Sequence, residues 1–436
     1  MLGPLLFLIY VNDISEHMVS LSRLFADDTS LAYSSNHFED IEYVLNADMQ
    51  KLHEWAQKWL VKFNQDKTEA LVISNSKNNL DINLLFNSCA INIVDAHKHL
   101  GITLSDTGKW SEHISNISSE ALKQINALRK LKYVLDRKTL NRIYMTFILP
   151  ILEYGCELWD GCSNQNSEKL EKVQLEAARV VTGLPSFASK DALYFETGWE
   201  KLKIRRERRK LCLLYKIING LAPDYLLDLL PPIVNTVVPY NVRNGTDFTL
   251  YNFTLSLTNK SFFPSTIRLW NNLSESQRAA ETVNQFKSAI RSERSPKIPE
   301  FFHVGKRLNN ILMTKLRHRC SSLNDDLFRV NLIAYPACVC GYPIENSQHY
   351  FLNCPRYEPI REQMLNNIGN RDTINVKVLL NGDSRLSNEE NQNIILSHEK
   401  KTWANRSRHR QSCRETQRKN YLMNYVYVLC KYERYC

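Results

Sequence analysis

The stretch that decides the fold is Arg23-Leu24-Phe25-Ala26-Asp27-Asp28-Thr29-Ser30-Leu31-Ala32-Tyr33. Two short apolar segments flank a pair of adjacent acids, which predicts strands at 23–26 and 29–33 with the acids in the turn between them. The carboxylates of Asp27 and Asp28 would then share the tip of a hairpin. An isolated Asp-Asp pair in a turn is usually just solvated, so the surrounding sequence has to decide whether this pair is functional.

Paired carboxylates suit a magnesium site. Mg²⁺ prefers oxygen ligands, usually takes one or two carboxylates and completes its shell with water and substrate phosphate. In nucleotidyl transfer, two such ions about 3.5–4 Å apart hold the attacking 3′-hydroxyl and the leaving pyrophosphate. Asp27 and Asp28 are therefore candidate Mg²⁺ ligands and candidate catalytic residues.

Further motifs flank this pair. An apolar segment ending in Asn12-Asp13 precedes it, and Asn64-Gln65-Asp66-Lys67-Thr68-Glu69 and His99-Leu100-Gly101-Ile102-Thr103-Leu104 follow. In this order and spacing they resemble motifs of the reverse transcriptases of non-LTR (LINE-type, Jockey-like) retrotransposons. The similarity continues through residues 149–159, 171–179 and 262–271, so it covers most of the chain.

The resemblance implies roles for individual residues. Asp27 and Asp28 would bind Mg²⁺ in a polymerase palm, and Lys67 would approach the pyrophosphate, where a cation stabilises developing charge. Leu100 and Gly101 would form a primer grip, so an RNA template and a DNA primer are the expected partners. Lys67 can equally be an ordinary surface lysine, and Gly101 an ordinary strand irregularity.

Some features of the family are absent from this sequence. Related enzymes carry a third catalytic aspartate in an earlier strand, a nucleotide-binding fingers region and an upstream endonuclease. Asp13 is no substitute for the third aspartate, because in related enzymes its position ends a helix. We therefore expect a C-terminal part of such a protein, truncated at its N-terminus and inactive alone, with the fingers and endonuclease regions in the full-length element protein.

Composition sets broader limits. The chain has 436 residues, 43% of them hydrophobic and 23% charged, which predicts a globular protein of two or three domains.

Several features of the sequence bear on its cellular location. The apolar first eleven residues lack the basic start and the cleavage site of a signal peptide. No apolar run reaches the roughly 18 residues of a membrane span. The cysteines number eleven, an odd count that favours reduced thiols over a disulfide framework. An intracellular protein of the nucleus or cytoplasm, neither secreted nor membrane-bound, is expected.

Positive charge is concentrated in two windows of the sequence, although the formal net charge is only +10. Concentrated positive charge is typical of phosphate-backbone binding, and a solvated helix face is the alternative. The candidate nucleic-acid-binding residues are Lys201, Lys203, Arg205, Arg206, Arg208, Arg209 and Lys210 in the first window, and Arg406, Arg408 and Arg410 in the second.

A third candidate site lies near the C-terminus. Cys338, Cys340, His349 and Cys354 supply three thiolates and one imidazole, a standard ligand set for tetrahedral Zn²⁺. The single residue between Cys338 and Cys340 requires a sharp turn, which Gly341 could provide. Similar cysteine and histidine patterns occur at the C-termini of related retrotransposon proteins. The resemblance implies a zinc knuckle for single-stranded nucleic acid, assisted by Arg317, His318 and Arg319. Buried free cysteines are the alternative.

Hydrophobic periodicity predicts an α+β fold with a β-hairpin, an amphipathic helix and a small antiparallel sheet, followed by further helices. The resemblance implies that these are a partial palm and a helical thumb, with the zinc module after them. Predicted helices are 39–60, 110–134, 137–159, 167–182 with Ser167 as its cap and Gly183 as its stop, and 199–219. Predicted strands are 69–74, a hairpin of 82–86 and 90–94, and 98–104. The expected domains are a partial palm (1–106), a thumb (107–230), a linker and connection region (231–299), a zinc-knuckle-like module (300–360) and a basic tail (361–436).

Two hypotheses about function follow. The first is an RNA-directed DNA polymerase that is incomplete in this chain. The second is a nucleic-acid-binding remnant without catalysis, which the missing third aspartate favours.

Overall fold

The structure is a computed structural model that describes residues 2–74, 82–237, 245–251, 253–291, 298–303, 305–368, 374–383, 386–387 and 389–392. Helices predominate in it and the strands are short, which agrees with the predicted α+β class. The chain divides into two compact units, residues 1–115 and 116–436. The first unit extends slightly beyond the predicted palm boundary at residue 106. No helix among the described residues is long and apolar enough to span a membrane.

The described strands all lie in the first unit. They are β1 (Leu21–Phe25), β2 (Asp28–Ala32), β3 (Glu69–Ala70), β4 (Leu85–Phe86), β5 (Cys89–Ala90), β6 (Asn92–Ile93), β7 (Ala96–His99) and β8 (Ile102–Ser105). Strands β1 and β2, β4 and β5, and β7 and β8 form antiparallel pairs, and β3 and β6 form a parallel pair. The described strands therefore make four separate pairs, whereas the sequence suggested one small antiparallel set.

The strand predictions were partly correct. The first hairpin is confirmed, although its turn is Ala26-Asp27 and Asp28 already belongs to β2, opposite Phe25. The second hairpin is also confirmed. The predicted strand 98–104 is wrong, because the chain turns back at Leu100-Gly101 between β7 and β8. Both turn residues have positive φ, which a pattern of apolar residues does not encode.

Two helices belong to the first unit, α1 (Leu2–Val11) and α2 (Phe38–Trp59). Helix α2 confirms the predicted helix and buries Leu52 against Ile14 and Phe86. Its Asp48 is fully buried and accepts hydrogen bonds from the backbone N–H groups of Val19 at 2.9 Å and Ser20 at 2.7 Å. Burial raises the pKa of Asp48, but these bonds and Lys51 outweigh burial and lower it. Asp48 thus fixes the start of β1, and with it the hairpin that carries the acids.

The remaining helices follow the strands. They are α3 (Ser111–Leu131), α4 (Arg137–Ile143), α5 (Leu149–Glu153), α6 (Cys156–Trp159), α7 (Asn164–Thr182), α8 (Lys190–Thr197), α9 (Leu202–Ile218), α10 (Val234–Val237), α11 (Ser256–Lys260), α12 (Phe262–Asn271), α13 (Glu275–Arg278), α14 (Val283–Ala289), α15 (Arg307–Arg317), α16 (Asn324–Phe328), α17 (Glu358–Ile368) and α18 (Val376–Asn381). Two π-helical turns, Tyr144–Ile148 and His349–Asn353, interrupt the series.

Helix α3 confirms the prediction at 110–134, but the predicted helix 137–159 is divided. Pro150 has no N–H to donate, and Gly155 adopts φ 59°, so α4, the π-helical turn, α5 and α6 replace one continuous helix. Helix α7 begins earlier than expected, because the side chain of Ser163 caps it and Ser167 does not. Its predicted end at Gly183 is confirmed by φ 78° and a hydrogen bond to Arg179 O.

Much of the stretch predicted as a linker, 231–299, is folded. Helices α12 and α14 pack against α9 around Tyr215, Trp270 and Phe286, with Tyr215 stacked on Phe286 at 4.5 Å between ring centroids. Polar, Asn-rich and Thr-rich composition suggested a loop. The segment nevertheless folds, because apolar residues at helical spacing give α12 and α14 a face that is buried against α9.

A buried ion-pair cluster joins distant parts of the second unit. Glu196 of α8 is fully buried and pairs with Arg137 of α4 at 2.8 Å, Arg317 of α15 at 2.7 Å and His318 at 2.9 Å. Burial raises the pKa of Glu196, but the hydrogen bond from His318 and the charges of both arginines hold it well below its usual range. We call these four residues the Glu196 cluster.

Arg307, at the start of α15, makes a second connection between α15 and the helices before it. Its guanidinium donates to Lys132 O at 3.0 Å and to Val180 O at 2.8 Å, beside the C-terminal ends of α3 and α7. A cation at these ends satisfies carbonyl groups that lack a partner within the helix. The segment that carries the cysteine and histidine motif is therefore held firmly on the helices of its own unit.

Replacing Glu196 tests the importance of this cluster. We expect Glu196→Gln to lower the free energy of unfolding by about 3–5 kcal/mol, because Arg137 and Arg317 would remain buried without a counter-charge. Denaturant unfolding followed by circular dichroism measures this free energy.

The control is Glu176→Gln, which breaks ion pairs with Arg129 and Arg179 at a side chain that is 38% exposed. Its expected effect is below about 1 kcal/mol. Equal effects of the two substitutions would contradict a special role for Glu196.

Candidate metal and nucleic-acid sites

The acid pair stands at an exposed hairpin tip. Asp27 lies in the turn and Asp28 opens β2, and both residues are exposed. Ala26 precedes them with φ 52°, a conformation that is strained for a residue with a Cβ atom. Among the described residues, neither carboxylate has a hydrogen bond or an ion pair. The pair is therefore open to solvent and to metal ions.

Lys67, which was also expected at this site, makes no described contact with Asp27 or Asp28. Lys67 is exposed and ends a short 3₁₀ turn, Gln65–Lys67, that the side chain of Asn64 caps. Within the described part of the chain, no hydrogen bond or ion pair links Lys67 to either aspartate. The described residues also place no third acid beside Asp27 and Asp28. The group of potential metal ligands found among them is Cys338, Cys340, His349 and Cys354.

The expected primer grip is a two-residue turn. Leu100 has φ 46° and Gly101 has φ 83°, and His99 pairs with Ile102 across the turn. The turn exposes backbone at a hairpin tip, as a close approach of a primer strand would require. The hairpin is held to the start of α3 because the side chain of His113 accepts a hydrogen bond from Thr103 N at 3.2 Å.

The first basic window occupies the N-terminal half of α9, and acidic partners neutralise most of it. Arg206 and Lys210 are buried and both pair with Asp160, at 2.7 Å and 2.6 Å. The other three arginines of the window are paired as well: Arg205 with Glu153, Arg208 with Glu200 and Arg209 with Glu157. In this structure Arg206 and Lys210 are therefore not available to a phosphate. Their positions indicate structural ion pairs.

Lys201 and Lys203 remain exposed at the start of α9, and the described residues give them no acidic partner. Arg406, Arg408 and Arg410 lie outside the described residues. Arg317 and His318, expected beside the zinc module, belong to the Glu196 cluster, where the side chain of Arg317 is only 2% exposed. Arg319 is exposed but pairs with Asp325 at 2.5 Å.

The cysteine and histidine residues of the C-terminal motif come together as predicted. The ligand atoms of Cys338, Cys340, His349 and Cys354 all lie within 4.8 Å of one another. The sulfur atoms of Cys338 and Cys354 are 3.9 Å apart, and Cys340 Sγ lies 3.2 Å from His349 Nε2. A tetrahedral Zn²⁺ with Zn–S bonds of about 2.3 Å would place its sulfur ligands about 3.8 Å apart. The arrangement therefore fits zinc.

Two local turns build this cluster. Gly341 adopts φ 94° and donates to Cys338 O at 3.0 Å, while Cys338 N donates to Tyr342 O at 2.8 Å. This is the sharp turn that the one-residue gap between the cysteines requires. The π-helical turn His349–Asn353 then returns the chain, and Cys354 N donates to His349 O at 2.7 Å.

Charged side chains support the cluster from outside. Arg361 is buried and donates to Phe351 O at 3.0 Å and also to Cys354 O, which fixes the second turn. Glu345 is fully buried, with its carboxylate 3.8 Å from Cys338 Sγ. Burial raises the pKa of Cys338 to about 12, so a metal cation is needed to stabilise its thiolate. Sequence reasoning missed Arg361 and Glu345, because neither belongs to a ligand motif.

Similar proteins come from one functional class. The probable RNA-directed DNA polymerase of transposon X-element from Drosophila melanogaster is 25% identical over 201 residues, 44% of this chain and 22% of that protein. The RNA-directed DNA polymerase of mobile element jockey from the same species is 24% identical over 195 residues, 42% of this chain and 21% of that protein. A Pol polyprotein of retrotransposable element R1 from Nasonia vitripennis is 21% identical over 410 residues, 90% of both chains.

The chain is related to the RNA-directed DNA polymerases of non-LTR retrotransposons. It spans about a fifth of the length of the X-element and jockey polymerases that it matches. No protein-family model matches the chain, and no solved structure gives a significant match. Sequence similarity thus identifies the class of protein to which this chain is related, and the structure defines the candidate sites.

Metal analysis tests the cysteine and histidine cluster. We expect one Zn²⁺ per chain in protein purified without chelator, and a clear loss in Cys354→Ser, because that substitution removes a buried sulfur ligand. Cys320→Ser is the matched control, since Cys320 lies in the same module but outside the cluster. Negligible zinc in the folded wild-type chain would contradict the assignment and favour buried free cysteines.

Proposed function

We propose that this chain serves reverse transcription of a non-LTR retrotransposon, with an RNA template and a DNA primer as its ligands. The observation that carries this proposal is the exposed pair Asp27-Asp28 at a hairpin tip, in a chain related to RNA-directed DNA polymerases. The expected place of action is inside the cell, in the nucleus or the cytoplasm, where the template RNA is found.

In this proposal Asp27 and Asp28 are Mg²⁺ ligands. Bound Mg²⁺ would supply charge stabilisation for the attacking hydroxyl and the leaving pyrophosphate. The open hairpin tip leaves both carboxylates free to bind, and Asp48 holds the hairpin in place through the backbone of Val19 and Ser20. Lys67 is proposed to approach the pyrophosphate, and Leu100 and Gly101 to contact the primer backbone.

These residues do not form a complete polymerase site. A two-metal site normally requires an acid that bridges both ions, and the described residues supply two adjacent acids without a third. A complete enzyme would also need the nucleotide-binding fingers and, for integration, an endonuclease. We therefore propose that this chain, tested alone, does not polymerise.

The second candidate function is nucleic-acid binding without catalysis. The compact set of Cys338, Cys340, His349 and Cys354 favours it, because a small zinc module can bind single strands without any polymerase activity. Exposed cations at Lys201 and Lys203, together with the basic C-terminal tail, would add contacts to phosphate.

A primer-extension assay tests the catalytic proposal. We expect the chain to extend a DNA primer on an RNA template in Mg²⁺ only at background level, with no difference between the wild type and Asp28→Asn, because the acid pair lacks a bridging partner. Robust Mg²⁺-dependent extension that Asp28→Asn abolishes would contradict this and establish a complete site.

The salt dependence of RNA binding tests the role of α9. Each phosphate contact on a single strand contributes about −0.7 to the slope of log affinity against log salt. The double substitution Lys201→Gln with Lys203→Gln should weaken binding and flatten the slope by up to about 1.4, if both lysines contact phosphate. The charge-matched control is Lys190→Gln with Lys287→Gln, which changes exposed lysines on α8 and α14. Identical slopes in the two variants would show that the exposed start of α9 is only a solvated surface.

A further inference from the structure

Tyr342 has an unusual position beside the metal-ligand cluster. Its ring stacks on the imidazole of His349 with 4.3 Å between centroids and an angle of 4° between the ring planes. His349 is 2% exposed, whereas Tyr342 is 48% exposed. The imidazole covers one face of the tyrosine ring, and about half of the tyrosine residue is open to solvent.

The backbone holds this ring in place. Tyr342 O accepts a hydrogen bond from Cys338 N at 2.8 Å, and the N–H of Tyr342 bonds to the sulfur of Cys340. The residue is therefore tied to three of the four proposed ligands, through Cys338, Cys340 and His349. A side chain that is fixed before binding loses little conformational entropy when a partner packs on it.

Exposed cations occur in the same part of the chain as this aromatic ring. Arg356 is exposed and follows the ligand Cys354 by two residues, so its Cα lies within about 7 Å of the Cα of Cys354. Arg329, after α16 in the same module, is also exposed. Among the residues that the structure describes, neither arginine has an acidic partner, in contrast to the paired arginines of α9. Residues 329–356 thus contain both a fixed aromatic ring and exposed arginines.

We propose that Tyr342 is a stacking platform for one unpaired base of a single-stranded nucleic acid, with Arg356 contacting an adjacent phosphate. This proposal rests on the proposed function of the zinc module and names the side chains that perform it. An aromatic face accepts any base, because every base has a π-face, and nearby cations attract the backbone. The chemistry favours a nucleic acid over a protein partner, since the aromatic ring and the unpaired arginines occur together.

The stack on His349 links base binding to the metal. Bound Zn²⁺ would restrain the imidazole of His349, which packs on one face of the tyrosine ring. Loss of the metal would remove this restraint on the imidazole. The chain should therefore bind single strands more weakly when zinc is removed.

The test measures binding of the full zinc-loaded chain to a short fluorescein-labelled single-stranded RNA, to DNA of the same sequence and to the RNA duplex. Tyr342→Leu should weaken single-strand binding roughly 5- to 100-fold, the range expected for loss of one base–aromatic stack. Tyr342→Phe keeps the ring and should restore affinity. Tyr335→Leu is the control, because Tyr335 is 78% exposed in the same module but does not stack on a ligand. Comparison of RNA with DNA shows which strand the platform holds.

The results of these binding measurements distinguish a failure of the Tyr342 proposal from a failure of the proposed function. If Cys354→Ser weakens single-strand binding and Tyr342→Leu does not, the module binds nucleic acid but Tyr342 is no platform. If the wild-type chain does not bind single strands at all, both proposals fail. Tighter binding to the duplex than to either single strand would also overturn the platform, because paired bases cannot stack on Tyr342.

Zinc content is measured for every variant, since loss of zinc in Tyr342→Leu would make its binding result ambiguous. Photo-crosslinking of the wild-type chain to RNA that contains 4-thiouridine decides that case. Peptide mapping should find the crosslink on Tyr342. Crosslinks found only outside residues 338–356 would overturn the proposal.

Discussion

The buried carboxylate of Glu196 is the constraint on which the second unit depends. It binds Arg137 from α4, Arg317 from α15 and the adjacent His318, so one side chain connects segments that are far apart in the sequence. Buried ion pairs contribute little net stability, because desolvation offsets their attraction, but breaking one is costly. In this protein the ion pairs of Glu196 fix the positions of α4, α8 and α15 relative to one another. The Glu196 cluster and Arg307 fix α15 on the preceding helices, and Met313 and Leu316 of α15 share a buried cluster with Cys338 and Cys354.

This arrangement changes where nucleic acid is expected to bind. The sequence places seven basic residues in 201–210, yet Glu153, Glu157, Asp160 and Glu200 neutralise five of them. These acids lie 40 or more residues from most of their partners, and only the fold brings them together. Among the described residues, Lys201, Lys203, Arg329 and Arg356 are exposed and have no acidic partner. Phosphate contacts are therefore expected at these exposed positions.

Local patterns predicted much of the fold, and long-range interactions account for most of the rest. Helix α2 follows from three- and four-residue spacing of apolar residues, and the Asp27-Asp28 hairpin from two short strands around a turn. The four candidate metal ligands could be found because their spacing is itself a motif. The turn at Leu100-Gly101 was missed because positive φ at a leucine has no sequence signature. The partners of Arg206 and Arg317 could not be predicted, since Asp160 and Glu196 are distant in sequence and belong to no motif. The same holds for the stack of Tyr342 on His349.

We propose that this chain holds single-stranded nucleic acid mainly through the segment that carries Cys338, Cys340, His349 and Cys354. Hydrogen–deuterium exchange of the zinc-loaded chain, with and without a single-stranded RNA, tests it most directly, because protection of backbone amides locates the bound surface. We expect RNA to slow exchange in residues 338–357, with a smaller effect at the start of α9. Protection confined to the hairpins around Asp27 and Gly101, with no change in 338–357, would contradict it.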